Sequence, residues 1–150
     1  MTDATRSRLG WIILRLTLAG LIAAHGWTRL ILGGSEPFGA WLAAQGLPAG
    51  PVIAWGITGL EILGTPLLAI GRLVLPLTLV YSAIYAVGIV MVHAKAGWFV
   101  VGAGRNGAEY SVLLIVALLC VGAQHARSRV GASQAGGNAP GRRAQDNQGG

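Results

Sequence analysis

Four long runs of apolar residues organise the chain: Trp11 to Leu32, Pro51 to Ile70, Leu73 to Val92 and Ala108 to Ala123. Each is close to the ~20 residues an α-helix needs to cross ~30 Å of hydrocarbon. The pattern predicts an all-α polytopic membrane protein built as an antiparallel four-helix transmembrane bundle. Only Gly71-Arg72 separates the second and third runs, so these helices are expected to form a tight antiparallel hairpin. Between the first two runs, Ser35-Glu36-Pro37 is a good helix start. Phe38, Trp41 and Leu42 follow on one face at helical spacing. This segment reads as a short interfacial helix ending near Gly46, able to cover a site from above.

Polar positions interrupt each run at helical spacing. Arg15, Leu18, Ile22, His25 and Arg29 form a stripe on the first helix, and Thr58, Glu61 and Thr65 form one on the second. Thr78, Ser82, Tyr85 and His93 share a broad arc on the third, and Glu109, Leu113, Val116 and Cys120 align on the fourth. A bundle can turn all four faces inward at once. Ionisable groups are costly in hydrocarbon, so His25, Glu61, His93 and Glu109 become the candidate catalytic residues. Each also has an ordinary explanation as a satisfied core or interfacial group. Glu61 fits that explanation least well, because a midplane carboxyl needs a partner or a proton.

Charge and composition refine this picture. The chain has 150 residues, 53% hydrophobic and 11% charged, whereas a soluble domain is about one quarter charged. The net charge of +6 does not point to nucleic acid, since the basic residues flank the spans. Arg6, Arg8, Arg72, Arg127 and Arg129 lie on one side, against Arg29, Lys95 and Arg105 on the other. That bias predicts a cell-membrane protein with both termini cytoplasmic. Arg15 interrupts the first run and argues against a cleaved signal peptide. Residues 1–8 then form a cytoplasmic segment, 9–124 the membrane domain, and 125–150 a disordered basic tail poor in large apolar side chains.

With this orientation, His25 lies ~10 Å and Glu61 ~15 Å below the outer helix ends, at ~1.5 Å per residue. His93, Glu109, Arg29 and Arg105 sit near that end. The expected site is a funnel in the outer half, with Glu61 at its floor. Arg15, Arg29, Tyr85 and Arg105 are the candidate substrate-binding residues; Arg15 is nearer the inner side and can instead snorkel.

Several chemistries lack a signature. The single cysteine, Cys120, excludes an internal disulfide or dithiol pair and reads as a small core residue. Gly102-Ala103-Gly104-Arg105-Asn106-Gly107 fits G-x-G-x-x-G, but no βαβ unit surrounds it, so it is not a nucleotide site. No Glu-x-x-His pair or i,i+4 histidine pair supports a metal. His25 and His93 differ in depth by ~10 Å, which argues against haem ligation. No flavin signature is present.

The polar motifs resemble a known family. Leu14-Arg15-Leu16 followed by His25-Gly26-Trp27-Thr28-Arg29 is similar to the first helix of DoxX-family membrane proteins. Thr58-Gly59-Leu60-Glu61-Ile62-Leu63-Gly64, then Gly71-Arg72-Leu73, resembles the family's second helix and turn. His93 with Gly97-Trp98-Phe99, and Gly107-Ala108-Glu109-Tyr110, resemble its third and fourth segments. The resemblance covers roughly residues 9–124, with Arg29 where the family more often has lysine. It implies a four-helix membrane bundle. Relatives include a subunit of a thiosulfate:quinone oxidoreductase and proteins named for quinone-linked or catechol-stress chemistry, which implies quinone-related redox work.

The leading expectation is therefore a subunit or accessory of a membrane redox system acting on quinone or a related small substrate. His25 and His93 would hold its carbonyls, Glu61 and Glu109 would relay protons, and Arg29 would favour an anionic form. Electrons would come from a redox partner subunit or from the substrate. A proton-coupled transporter or binding module uses the same groups. A structural subunit of a membrane complex is the third reading; glycines in the spans permit close helix approach, including that of a homo-oligomer.

Overall fold

The computed structural model describes residues 1–102 and 105–137, with side chains through Ser128. Helix α1 (Asp3–Ile31) starts at Thr2, whose hydroxyl accepts a 3.3 Å hydrogen bond from the Thr5 amide. Helix α2 (Ser35–Ala44) covers one end of the bundle, and α3 (Gly50–Ala69) follows. Helix α4 (Val74–Gly88) passes into a π-helical segment, Ile89–His93, and a last α-turn, α5 (Ala94–Ala96). A loop then leads to α6 (Glu109–Gly137). Among the described residues there is no strand; 98–101 is loop.

Four stretches are long and apolar enough to span a membrane: Asp3–Ile31, Gly50–Ala69, Val74–Ala96 and Glu109–Ser128. No more than 33% of the most apolar window of any span is buried. Ile13, Leu63, Val90 and Leu113 are among the large side chains left on the outside. A soluble surface rarely carries so much exposed apolar area, whereas lipid covers it without cost.

The helices pack as two pairs: α1 lies along α3, and α4 lies along α6. The turn between α3 and α4 is as tight as expected. Gly71 has φ +80°, and the Arg72 amide donates back to the Leu67 carbonyl at 2.8 Å. Yet α3 and α4 touch only sparingly, so neither is the other's main partner. One link between them is Tyr81, whose hydroxyl donates to the Leu60 carbonyl at 2.8 Å. Leu18 and Ile22 of α1, Leu68 of α3, Leu77 of α4 and Leu118 of α6 meet in the shared core.

The fourth span is rotated relative to the expected stripe. Leu113, Val116 and Cys120 are exposed, while Ser111, Leu114, Leu118 and Val121 face the core. Cys120 is thus an outward-facing thiol and not a core residue. The reason is packing. Gly122 sits directly against Thr78 on α4, where an added Cβ would collide with Thr78 Oγ1. Close approach on the Gly122 side forces the Cys120 side outward. The final helix also continues past residue 125, where the tail was expected to start, and runs to Gly137. Residues 138–150, the remainder of that tail, lie outside the described residues.

Gly122→Ala should therefore lower stability by roughly 1–3 kcal/mol, as overpacking does. Gly56→Ala, where nothing lies within 4 Å of an added Cβ, should be neutral or stabilising. Denaturant titration of the protein in detergent measures both; equal effects would show that the α4–α6 contact is not close-packed.

Candidate functional site: a buried ion pair beneath a capped cavity

Glu61 sits on the buried stripe of α3 with Thr58 and Thr65, and is only 4% exposed. Both threonines satisfy their hydroxyls within the helix. Thr58 Oγ1 donates to the Ala54 carbonyl at 2.8 Å, and Thr65 Oγ1 donates to the Glu61 carbonyl at 2.6 Å. The Glu61 carboxylate needs a partner from elsewhere, and Arg29 on α1 supplies it. Arg29 donates from one terminal nitrogen to Glu61 Oε2 at 2.7 Å and to Thr58 Oγ1 at 3.2 Å. The Thr58 hydroxyl proton is committed to Ala54, so Ser35 Oγ, 3.2 Å away, donates to Thr58.

Gly26 makes this possible. It is buried, and an added Cβ would stand 2.7 Å from Glu61 Cβ. Without a side chain there, α1 comes close enough for Arg29, almost one turn further on, to reach across. Helix α2 closes the arrangement from above. Its Phe38 ring faces the Arg29 guanidinium, with Cζ 4.8 Å from the ring centre, a cation–π contact. Phe38 also stacks on Trp41 at 6.2 Å. Gly39 abuts Pro51, where a Cβ would stand 2.7 Å from Pro51 Cα, so α2 is pressed onto the start of α3.

Below this cap lies a cavity of about 270 Å³. Arg29 and Glu61 form its charged part, and Trp41, Ile57, Ile84 and Met91 belong to its apolar wall. One side is built by the π-helical segment, which contributes Met91, Val92 and His93. Such local widening of a helix is common at functional sites. His93 Nδ1 lies 2.8 Å from the Asn106 carbonyl. A carbonyl only accepts, so Nδ1 carries the proton; in the neutral ring Nε2 remains an acceptor. Tyr85 also lines the cavity, and its buried hydroxyl has no hydrogen-bond partner among the described residues.

The structure thus brings together His25, Arg29, Glu61, Tyr85 and His93. His25 is a rim residue, largely exposed, because Gly26 takes the inward position of that turn. The other three candidates lie apart from this cavity. The Glu109 carboxylate accepts from the Val100 amide at 2.9 Å and ties the preceding loop to the start of α6. Arg105 is exposed on that loop. Arg15 lines a different cleft, between α1 and α6. Among the described residues, no three of His, Cys, Asp and Glu come together as a metal set. The spacing of polar residues did not flag Gly26, Ser35 or Tyr81. Gly26 and Ser35 are small residues whose value lies in what they let approach, and nothing in helical periodicity marks them.

Removing either charge of a buried pair strands the other, so Arg29→Ala and Glu61→Ala should each destabilise the protein by about 3–5 kcal/mol. The double substitution should cost clearly less than the sum of the two. Unfolding in detergent measures the cycle. Additive losses would show that the two side chains do not interact.

A family model described as DoxX matches residues 10–94, more than half of the chain. Neither a curated protein nor a solved structure matches it. The matched stretch runs from Gly10, within α1, through the π-helical segment. It therefore contains Arg29, Glu61, Tyr85 and His93, while Arg105 and Glu109 fall beyond it. The chain belongs to the DoxX family.

Proposed function

We propose that this membrane protein serves a membrane redox system and binds a quinone-type ring in the cavity beneath α2. The observation that carries the reading is the unpartnered Tyr85 hydroxyl in the wall that also holds Arg29 and Glu61. A buried polar group without a partner costs free energy until a ligand or water satisfies it. The rest of the wall suits an aromatic ring: mostly aliphatic, with Trp41 and Phe38 at the cap. The volume of about 270 Å³ exceeds the ~150 Å³ that accommodates benzene. It matches a substituted single ring better than a fused polycycle.

Quinone reduction consumes two electrons and two protons, the protons ending on the two carbonyl oxygens. In this reading Tyr85 donates a hydrogen bond to one oxygen. His93 Nε2 accepts from the hydroxyl of the reduced form at the other. The Arg29–Glu61 pair supplies positive potential toward the ring while keeping the buried site neutral overall. The two electrons come from a separate redox subunit, because the lone cysteine provides no dithiol, and the two protons are taken up from the aqueous phase. Glu109, which accepts from the Val100 amide outside the cavity, anchors the loop before α6.

Binding of a short-chain quinone to the protein in nanodiscs, followed by tryptophan quenching, tests this directly. Wild-type protein should bind saturably, and Tyr85→Phe should weaken binding about tenfold, the worth of roughly one hydrogen bond. Leu63→Ala, on the outward face, should bind normally. Failure of the wild type to bind, or an unchanged affinity for Tyr85→Phe, sinks the reading. Proton-driven solute uptake lost in Glu61→Gln, without quinone binding, would favour a transporter.

We further propose, from the excess of basic residues on the side of the termini, that both termini face the cytoplasm and the α2 cap lies on the outer side of a cell membrane. In a Cys120→Ser background, a cysteine introduced at Ser35-adjacent Glu36 should react with an impermeant maleimide in whole cells, and one at Thr2 only after lysis. The opposite pattern would invert the topology.

A further inference from the structure

A second concavity, of about 820 Å³, lies between α1 and α6 at the end of the bundle away from α2. Among the described residues its wall includes Arg8, Trp11, Arg15, Gln124, His125 and Ser128, and no acidic residue. Arg15 points across the bundle toward the α3–α4 turn, its guanidinium 3.0 Å from where a Gly71 Cβ would stand. Its Nε is buried and has no hydrogen-bond partner among the described residues. Among the described residues, the ion pairs are Arg6–Asp3 and Arg29–Glu61, so neither Arg8 nor Arg15 has a carboxylate.

Depth identifies what neutralises them. Arg15 lies ~24 Å along α1 from Ile31, at ~1.5 Å per residue. In ~30 Å of hydrocarbon that puts it just inside the boundary, with Arg8 beyond it at headgroup level. Trp11, between them, is an aromatic of the kind that anchors at this interface. Above the cleft, Leu16 and Leu119 are exposed to the lipid side. The layout is a cationic pocket below an apolar groove, which matches a charged headgroup with its acyl chains. The chain's own tail is a poor occupant, since it carries Arg142 and Arg143 against a single acid, Asp146.

We infer that the α1–α6 cleft is a binding site for one anionic phospholipid, its phosphate held by Arg8 and Arg15. The lipid supplies the counter-charge that the protein lacks and fills the gap where α1 and α6 pack only loosely.

Native mass spectrometry of the full-length protein, titrated with phosphatidylglycerol or phosphatidylcholine, tests the inference. One phosphatidylglycerol should remain bound under activation that strips phosphatidylcholine. Arg15→Gln and Arg8→Gln should each weaken retention about fivefold, the loss of one cation beside an anionic headgroup. Arg8 is exposed, so Arg8→Gln keeps the test valid even if Arg15→Gln fails to fold. Arg6→Gln, whose cation is already paired with Asp3, should leave retention unchanged. Equal retention of the two lipids, an Arg8→Gln effect no larger than that of Arg6→Gln, or displacement by millimolar inorganic phosphate would overturn the site. So would a dimer whose formation excludes the lipid.

Discussion

The Arg29–Glu61 ion pair sets the terms for the rest of the structure. A carboxylate and a guanidinium within a membrane domain are tolerable only if each satisfies the other and neighbouring groups complete their hydrogen bonds. That requirement reaches into three helices. It demands Gly26 at the α1–α3 crossing, Thr58 one turn before Glu61, and Ser35 at the start of α2 to complete the Thr58 hydroxyl. Phe38 then covers the cation from above. The short cap helix is therefore part of the pair's solvation and not a loop that happens to be helical.

The same constraint explains why a cavity sits where it does. Helices α1 and α3 are drawn together by the pair, and α4 is held to α6 by the Gly122–Thr78 approach. The two pairs of helices meet in an apolar core, with α3 and α4 in sparse contact. Toward the α2 end they separate, and the π-helical segment lines the gap. Polar groups at that end divide into two kinds. Those of α3 and α1 are mutually satisfied, while Tyr85 on α4 is left with a hydroxyl to spare. At the opposite end, α1 and α6 diverge instead and leave the basic cleft.

Much of this was legible in the chain. Run length gave four spans because hydrocarbon thickness is a fixed ruler. Ser35-Glu36-Pro37 marked α2 through local helix-start chemistry. The Thr58–Glu61–Thr65 stripe marked the buried face of α3, since polar residues there have few other places to go. The fourth-helix stripe misled for the converse reason. Leu113, Val116 and Cys120 carry no charge, and in a lipid environment an apolar face is equally comfortable inside or out, so periodicity alone could not orient it. His25 lay on the predicted stripe of α1, and Leu18, Ile22 and Arg29 of that stripe do face inward, but His25 falls at its edge, and Gly26, 100° further round the helix, takes the place beside Glu61.

The sequence by itself determined the number of spans, the cap helix, and the presence of a charge in the membrane that must be answered. These follow from local spacing and from the cost of polar groups in hydrocarbon. Only the tertiary structure decided that Arg29 answers it, that His93 and Tyr85 share its cavity, and that Glu109 and Arg15 serve other places. Those outcomes depend on how closely helices approach and how they are rotated, which is set by glycine contacts between segments far apart in the chain.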